Sequence, residues 1–426
     1  VIKKLSLAFL GLMTALTFCY MYKPFQKKPF LTVAGFVKMA DGLGRQCPDM
    51  IEALKDDFEI GFLPLAKSCL DDVYPSILPL IKNKNKKLGT VVFLNDCPWR
   101  PSNKAKPYGA LRVFDTPKNQ DQIRMCYTML ESTKIPKQWV EVLNTYFDLV
   151  AVPDRFLEQV FLESGVNIPV FTLPLGLDLK QYLAAPLKTA YNPIFRFGTM
   201  GSLSDRKNQT KLVMAFDQAF NKDPQVELLI HARFGDFEYK QVFLSLLEEL
   251  QNPMIRFQET ALDKSSYFEL FKSLDMLVNV SKGEGFSIQP REAMALGIPC
   301  LLTDNTAQSS IVKEAHVVSL PTPLKKPCYY SYLKSCSGQN FDFEVEELKN
   351  RLKDAYAQRH ELLAYSEKNR EYASFYEYQK VKNLYRNLIS PQKVKISHQN
   401  VITSEGLETN SLELAKKFQT LTGSKL

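Results

Sequence analysis

The residues best suited to chemistry lie between Asp275 and Asp304, in the stretch D-M-L-V-N-V-S-K-G-E-G-F-S-I-Q-P-R-E-A-M-A-L-G-I-P-C-L-L-T-D. An apolar strand pattern runs into a loop where Gly283 and Gly285 flank Glu284, and a helix is expected to start near Pro290 with Glu292 in its first turn. Amides of Gly285, Phe286 and Ser287, added to the positive end of that helix, make a site for an anion such as phosphate. Glu284 and Glu292 flank the same spot, and a carboxylate accepts two hydrogen bonds from the vicinal hydroxyls of a sugar. The plainer alternatives are a loop acid in water for Glu284 and a helix-dipole partner for Glu292, worth about 0.3–1 kcal/mol.

A second group is Gly201-Ser202-Leu203-Ser204-Asp205-Arg206-Lys207, after the apolar run Ile194 to Met200. Adjacent cations behind a glycine loop suit a diphosphate whose charge grows as its bond to a sugar breaks. A third is Asp41-Gly42-Leu43-Gly44-Arg45, behind the first strand pattern. It falls short of a dinucleotide fingerprint, because the third glycine position is Cys47. A tight turn is its plain reading.

These groups need a scaffold that delivers loops to one place. Strand patterns at Phe30–Val37, Gly89–Leu94, Leu149–Val152 and Val170–Leu173 alternate with helical stretches, which argues for a parallel α/β sheet. The pattern loosens at 184–193 and the alternation restarts, with strands at Ile194–Met200, Val226–His231, Met276–Val280 and Ile298–Thr303. Helix is expected from Val345, with breaks, to Ile389; the polar tail after Pro391 reads as poorly ordered or as a loosely docked helix. The organisation is therefore an apolar segment (1–30), one Rossmann-like domain (31–185), a second (186–375), a helix returning to the first (376–390) and the tail (391–426). Two doubly wound domains facing each other leave a cleft at the carboxyl ends of their strands, where such sheets bind ligands.

The segment Gly283–Pro299 resembles the donor-site signature of glycosyltransferase family 4, retaining enzymes of the GT-B fold. The resemblance runs from Leu31 to Ile389 and includes E-S-T-K-I-P-K-Q-W-V (131–140), V-P-D-R-F (152–156), L-P-L-G-L-D (173–178) and F-G-T-M-G-S-L-S-D-R-K-N (197–208). It implies transfer of a sugar from a nucleoside-diphosphate sugar, held by the second domain, to a glycan, lipid or protein acceptor on the first. It also implies Glu284 beside the donor sugar, Glu292 on the nucleotide ribose, Lys207 on the diphosphate, and Gly42, Gly44 and Arg45 facing the cleft. The chain departs from the pattern at Ser202, where many members carry arginine; Arg206 is the expected replacement cation. Glu131 and Trp139 fall near the cleft by the same comparison, with core packing expected for Trp139 and a strand-end position for His231.

No D-x-D follows an apolar strand, Asp236-Phe237-Glu238 and Asp342-Phe343-Glu344 being loose matches, so neither a metal-bridged diphosphate nor a cofactor is expected. Four scattered histidines give zinc little support, and eight cysteines without a C-x-x-C pair read as reduced core residues. A net charge of +8, without basic stripes or a recognised module, favours anionic small ligands over nucleic acid. Leu5 to Tyr22 is an apolar run of 18 residues at the lower limit for a membrane span. It is an anchor for a cytoplasmic enzyme, the apolar core of a secretory signal, although no small-x-small cleavage site follows, or an extension preceding a start at Met21. Two rival functions stand beside transfer: a nucleotide-sugar epimerase on the same fold, and a catalytically inactive binding subunit.

Overall fold

The computed structural model describes residues 28–39, 42–65, 67–71, 73–82, 88–99 and 122–426; the apolar run 5–22 and Asp41 lie outside them. Strands β1 (Phe30–Gly35), β2 (Glu59–Pro64), β3 (Val91–Asn95), β4 (Ile123–Tyr127), β5 (Leu149–Val152) and β6 (Val170–Thr172) form one sheet. It is parallel throughout, in the order β2-β1-β3-β4-β5-β6. A second parallel sheet takes β7 (Phe195–Met200), β8 (Val226–Ala232), β9 (Ile255–Glu259), β10 (Met276–Asn279), β11 (Cys300–Asp304) and β12 (Val318–Pro321) in the order β12-β11-β10-β7-β8-β9.

Helices cover these sheets, so interior strands are buried along their whole length, as β3, β5, β8 and β10 are, and read as near-continuous apolar runs. The polar exceptions are paired. Glu227 in β8 meets Arg196 and, at 3.0 Å, Arg256. In β4 the Arg124 amide donates to Asp148 at 2.8 Å, and its guanidinium donates to Gln122.

Strand order reverses between β1 and β3 in the first sheet and between β7 and β10 in the second. Ligands bind at such switch points, beyond the carboxyl ends of the strands. The loops there are those after β1, β7 and β10, which carry the three groups singled out in the sequence.

Beyond the joining segment 184–193, two further connections tie the sheets together. After β12, strands β13 (Leu324–Tyr330) and β14 (Ser335–Asp342) form an antiparallel hairpin that docks on residues 131–134 of the first domain. The helix Tyr378–Ile389 then returns to the helix Gln46–Leu54: Tyr378 donates to Asp49 O at 2.9 Å and Arg386 to Ala53 O at 3.2 Å.

The tail differs from its expectation. Strands β15 (Val394–Ile396), β16 (Val401–Ile402) and β17 (Leu407–Thr409) and the helix Leu412–Thr422 pack onto the first domain. Few apolar residues suffice, because Val394, Leu407, Leu414, Ala415 and Phe418 are all buried and Lys417 reaches the buried Asp148 at 2.8 Å. Among the described residues no helix is long and apolar enough to cross a membrane.

Tyr385 is the pin of the returning helix. Its buried hydroxyl accepts from the Gly176 amide at 2.6 Å and lies 3.1 Å from Pro174 O. Tyr385→Phe leaves that amide without its acceptor, a cost of about 1–3 kcal/mol. Thermal denaturation should show a midpoint lowered by a few degrees; an unchanged midpoint would mean the bond contributes nothing.

Candidate active site

A cleft of about 880 Å³ opens where the two switch points face each other. The first domain lines it with Gly42, Arg45 and Glu131, the second with Gly201, Ser202, Arg206, Lys207, Glu284, Gly285, Phe286, Ser287 and Glu292. Gly44 is absent from that lining. A Cβ there would lie 2.7 Å from the Phe36 ring and 2.9 Å from Lys38 O, so this glycine lets the turn close on itself rather than face a ligand. The resemblance placed it in the cleft; the turn chemistry explains it instead.

Arg206 and Lys207 sit on a single 3-10 turn, Asp205–Lys207, which Asn208 ends in a left-handed conformation, φ 59°. That turn aims both cations at Glu284. Lys207 Nζ contacts Glu284 Oε1 directly, Arg206 Nη1 lies 3.2 Å from Oε2, and Ser281 Oγ donates to Oε1 at 2.5 Å. Arg206 also donates to Gly283 O at 2.7 Å. Burial pushes the Glu284 carboxyl up, but the Lys207 ammonium and the Arg206 guanidinium outweigh it and hold it near 2. Burial in turn depresses Lys207, against the pull of Glu284. The cation expected to replace an arginine at Ser202 therefore does point into the cleft.

The helix behind the glycine loop begins at Ile288, earlier than expected, so Glu292 lies beyond its first turn and a dipole role is weakened. Burial raises the Glu292 carboxyl to about 7 even with Arg45 facing it, and Tyr267 donates to its Oε2 at 3.3 Å. Ser287 caps this helix at φ 66°, a conformation serine rarely adopts. Asn279 and Gln308 hold its hydroxyl at 3.3 and 3.1 Å.

Arg291 has no role legible in the sequence alone. It is fully buried, stacked 3.9 Å from the Phe286 ring and 4.2 Å from the Tyr376 ring, and donates to the carbonyls of Phe286 and, at 3.0 Å, Ser287. Its Nη1 thereby ties down the outer face of the loop that carries the proposed anion site. An arginine one residue before a cleft glutamate was the only visible signal. Asp49 is a second omission: fully buried, 3.7 Å from Arg45 and bonded by the Tyr74 hydroxyl at 3.0 Å, it steadies Arg45 from below.

His231 lines the cleft at the end of β8, 3.0 Å from Thr260 O, and burial lowers its pKa. Trp139 is core, its indole donating to Trp99 O at 2.9 Å. Asp236 caps a helix, accepting from Glu238 N, and Asp342 is engaged by Lys211 and Lys326, so both loose D-x-D matches have structural employment.

Residues 192–322, covering β7 to β12, match the family model described as glycosyl transferases group 1. No curated protein matches the sequence. Among solved structures, the chain is similar to HepE of Anabaena, in complex with UDP and glucose: TM-score 0.61, 16% identity, 85% of this chain and 99% of that one. It is similar to sucrose-phosphate synthase of Thermosynechococcus elongatus (TM-score 0.60, 15% identity, 85% and 99% covered). A UDP-forming trehalose-phosphate synthase of Burkholderia xenovorans also superposes, with TM-score 0.56, 10% identity, and 84% and 98% covered. At such identities these likenesses speak for the fold. A group 1 glycosyl transferase domain set in a GT-B fold makes the chain a glycosyltransferase.

Proposed function

We propose that this enzyme is a retaining transferase of family 4 that moves a sugar from a nucleoside-diphosphate sugar to an acceptor hydroxyl without a metal ion. The observation that carries it is the convergence of Lys207 and Arg206 on Glu284, at the rim of the Gly285–Ser287 loop and in one cleft with Arg45 and Glu292. A UDP-sugar is the donor to try first, since the Anabaena neighbour is known in complex with UDP and with UDP-glucose.

In this reading the diphosphate lies against the loop amides and the two cations. The acceptor oxygen bonds to the anomeric carbon on the face from which the diphosphate leaves. The bond from that carbon to the phosphate oxygen breaks, and the acceptor proton passes to the departing oxygen. Negative charge grows on the leaving group, and Lys207 and Arg206 stabilise it in a cleft shielded from water. Glu284, held ionised, accepts hydrogen bonds from the donor sugar, and Glu292 does the same for the ribose. Nucleotide-sugars in the cytoplasm favour that side of any membrane for the reaction.

Lys207→Ala and Glu292→Ala should each abolish transfer, assayed with UDP-glucose, UDP-N-acetylglucosamine and GDP-mannose, while circular dichroism stays that of the parent. Full activity in both would remove the assignment. Product analysis separates transfer from epimerisation, and a calorimetric titration without heat for any of the three would favour an inactive binding subunit. Transfer should persist in EDTA.

Glu292 gives a pH test. Its folded pKa of about 7 stands above the ordinary 4.5, so its ionisation opposes folding, and stability falls as pH rises between those values. The ionised form is the better acceptor for ribose hydroxyls. Affinity for the donor should thus rise between pH 6 and 8, about the folded value, and Glu292→Gln should flatten that rise. Equal slopes in parent and variant would contradict the ribose role.

A further inference from the structure

Arg206 is held from both sides of the cleft. Its Nη1 is engaged by Gly283 O and Glu284 of its own domain, and its Nη2 lies 3.6 Å from Oε1 of Glu131, a residue of the first domain. Glu131 is seated in turn by a residue from the second: the Tyr330 hydroxyl on the hairpin accepts from the Glu131 amide at 3.1 Å. The hairpin reaches that point through an edge-like contact. Gln339 N donates to Thr133 Oγ1 at 3.0 Å, Thr133 N to Gln339 O at 3.3 Å, and Ser337 Oγ to Lys134 O at 2.8 Å. Cys328, Tyr330 and Leu333 are buried in the same apolar cluster as Trp139, inside the first domain. The fit leaves no slack, because a Cβ on Gly283 would stand 2.1 Å from Glu131 O.

We infer that Glu131, seated by Tyr330 of the hairpin, is a positioning residue that orients Arg206 toward the leaving diphosphate, so that the second cation is in place only when the domains are docked. Gly283 O and Glu284 both engage Nη1, which leaves the guanidinium free to turn about that nitrogen, and the Glu131 carboxylate 3.6 Å from Nη2 favours one orientation. The pairing also accounts for a cation at 206 working in place of one at 202: the two positions differ, and a carboxylate from the opposite domain brings the longer reach to the same place. The inference rests on the transferase reading above.

The test is a double-mutant cycle of Glu131→Gln and Arg206→Gln, with Tyr330→Phe as an independent way to unseat Glu131. Donor turnover, with UDP-glucose, UDP-N-acetylglucosamine and GDP-mannose as probes, and the thermal midpoint are measured on all chains. Glu131→Gln should lower kcat roughly tenfold to a hundredfold with the donor KM unchanged, and should have no further effect once Arg206 is glutamine. Tyr330→Phe should reproduce part of that loss, again only while Arg206 is present. Additive effects on kcat, or a raised donor KM in Glu131→Gln whatever stands at 206, would overturn the inference and make Glu131 a direct donor contact. Midpoints that show no coupling between 131 and 206 would overturn it too, whether or not turnover is found. A parent inactive with all three donors counts against the transferase reading instead.

Discussion

A carboxylate withdrawn from water at the floor of a cleft is the constraint around which the rest is arranged. Glu284 is 6% exposed, and an isolated charge so placed would be neutralised rather than kept. Two cations and a serine hydroxyl keep it ionised. Removing one partner of such a pair costs far more than the pair contributes relative to apolar residues. The 3-10 turn behind β7 and the glycine loop behind β10 must therefore hold a fixed separation. The Glu284 amide donates to Thr306 Oγ1 at 2.8 Å, fixing the loop from beneath.

Rigidity on the far side of that loop comes from a different device. Arg291 directs its charge at carbonyl oxygens and two aromatic faces; burial opposes that charge, but Tyr376, Tyr372 and, more weakly, Asp154 of the first domain outweigh it. The strained Ser287 backbone is retained because its hydroxyl has two amide donors from neighbouring elements. Asp154 also takes a hydrogen bond from Ser310 across the domain boundary at 2.8 Å. The loop is thus braced by both domains.

Legibility from sequence followed the range of the interactions involved. β5, β8, β10 and β11 are apolar runs bounded by turn residues, and each was readable alone. β4 is not legible because Arg124 interrupts its apolar run; in the fold its guanidinium donates to Gln122 at 2.7 Å. β2 carries a glycine and ends in proline, both unfavourable to strand. The hairpin β13–β14 has the composition of a loop, and its buried face exists only because another domain supplies the cover. The same distinction holds in the site. Glu284, Glu292 and Lys207 stand in local motifs, whereas the meeting of Glu131 with Arg206 depends on tertiary approach and leaves no trace in spacing.

The returning helix and the tail carry a consequence for synthesis. Val381, Tyr385, Leu388, Leu414 and Phe418 complete the apolar packing beside the helix Gln46–Leu54 and its sheet, yet they are made after the strands of both six-stranded sheets. On the ribosome, the half translated first must wait with an uncovered face, while the half translated second already holds all its own strands. Order of emergence and order of completion are thus reversed, and any nascent chain halted before the helix Tyr378–Ile389 would present that bare face to chaperones.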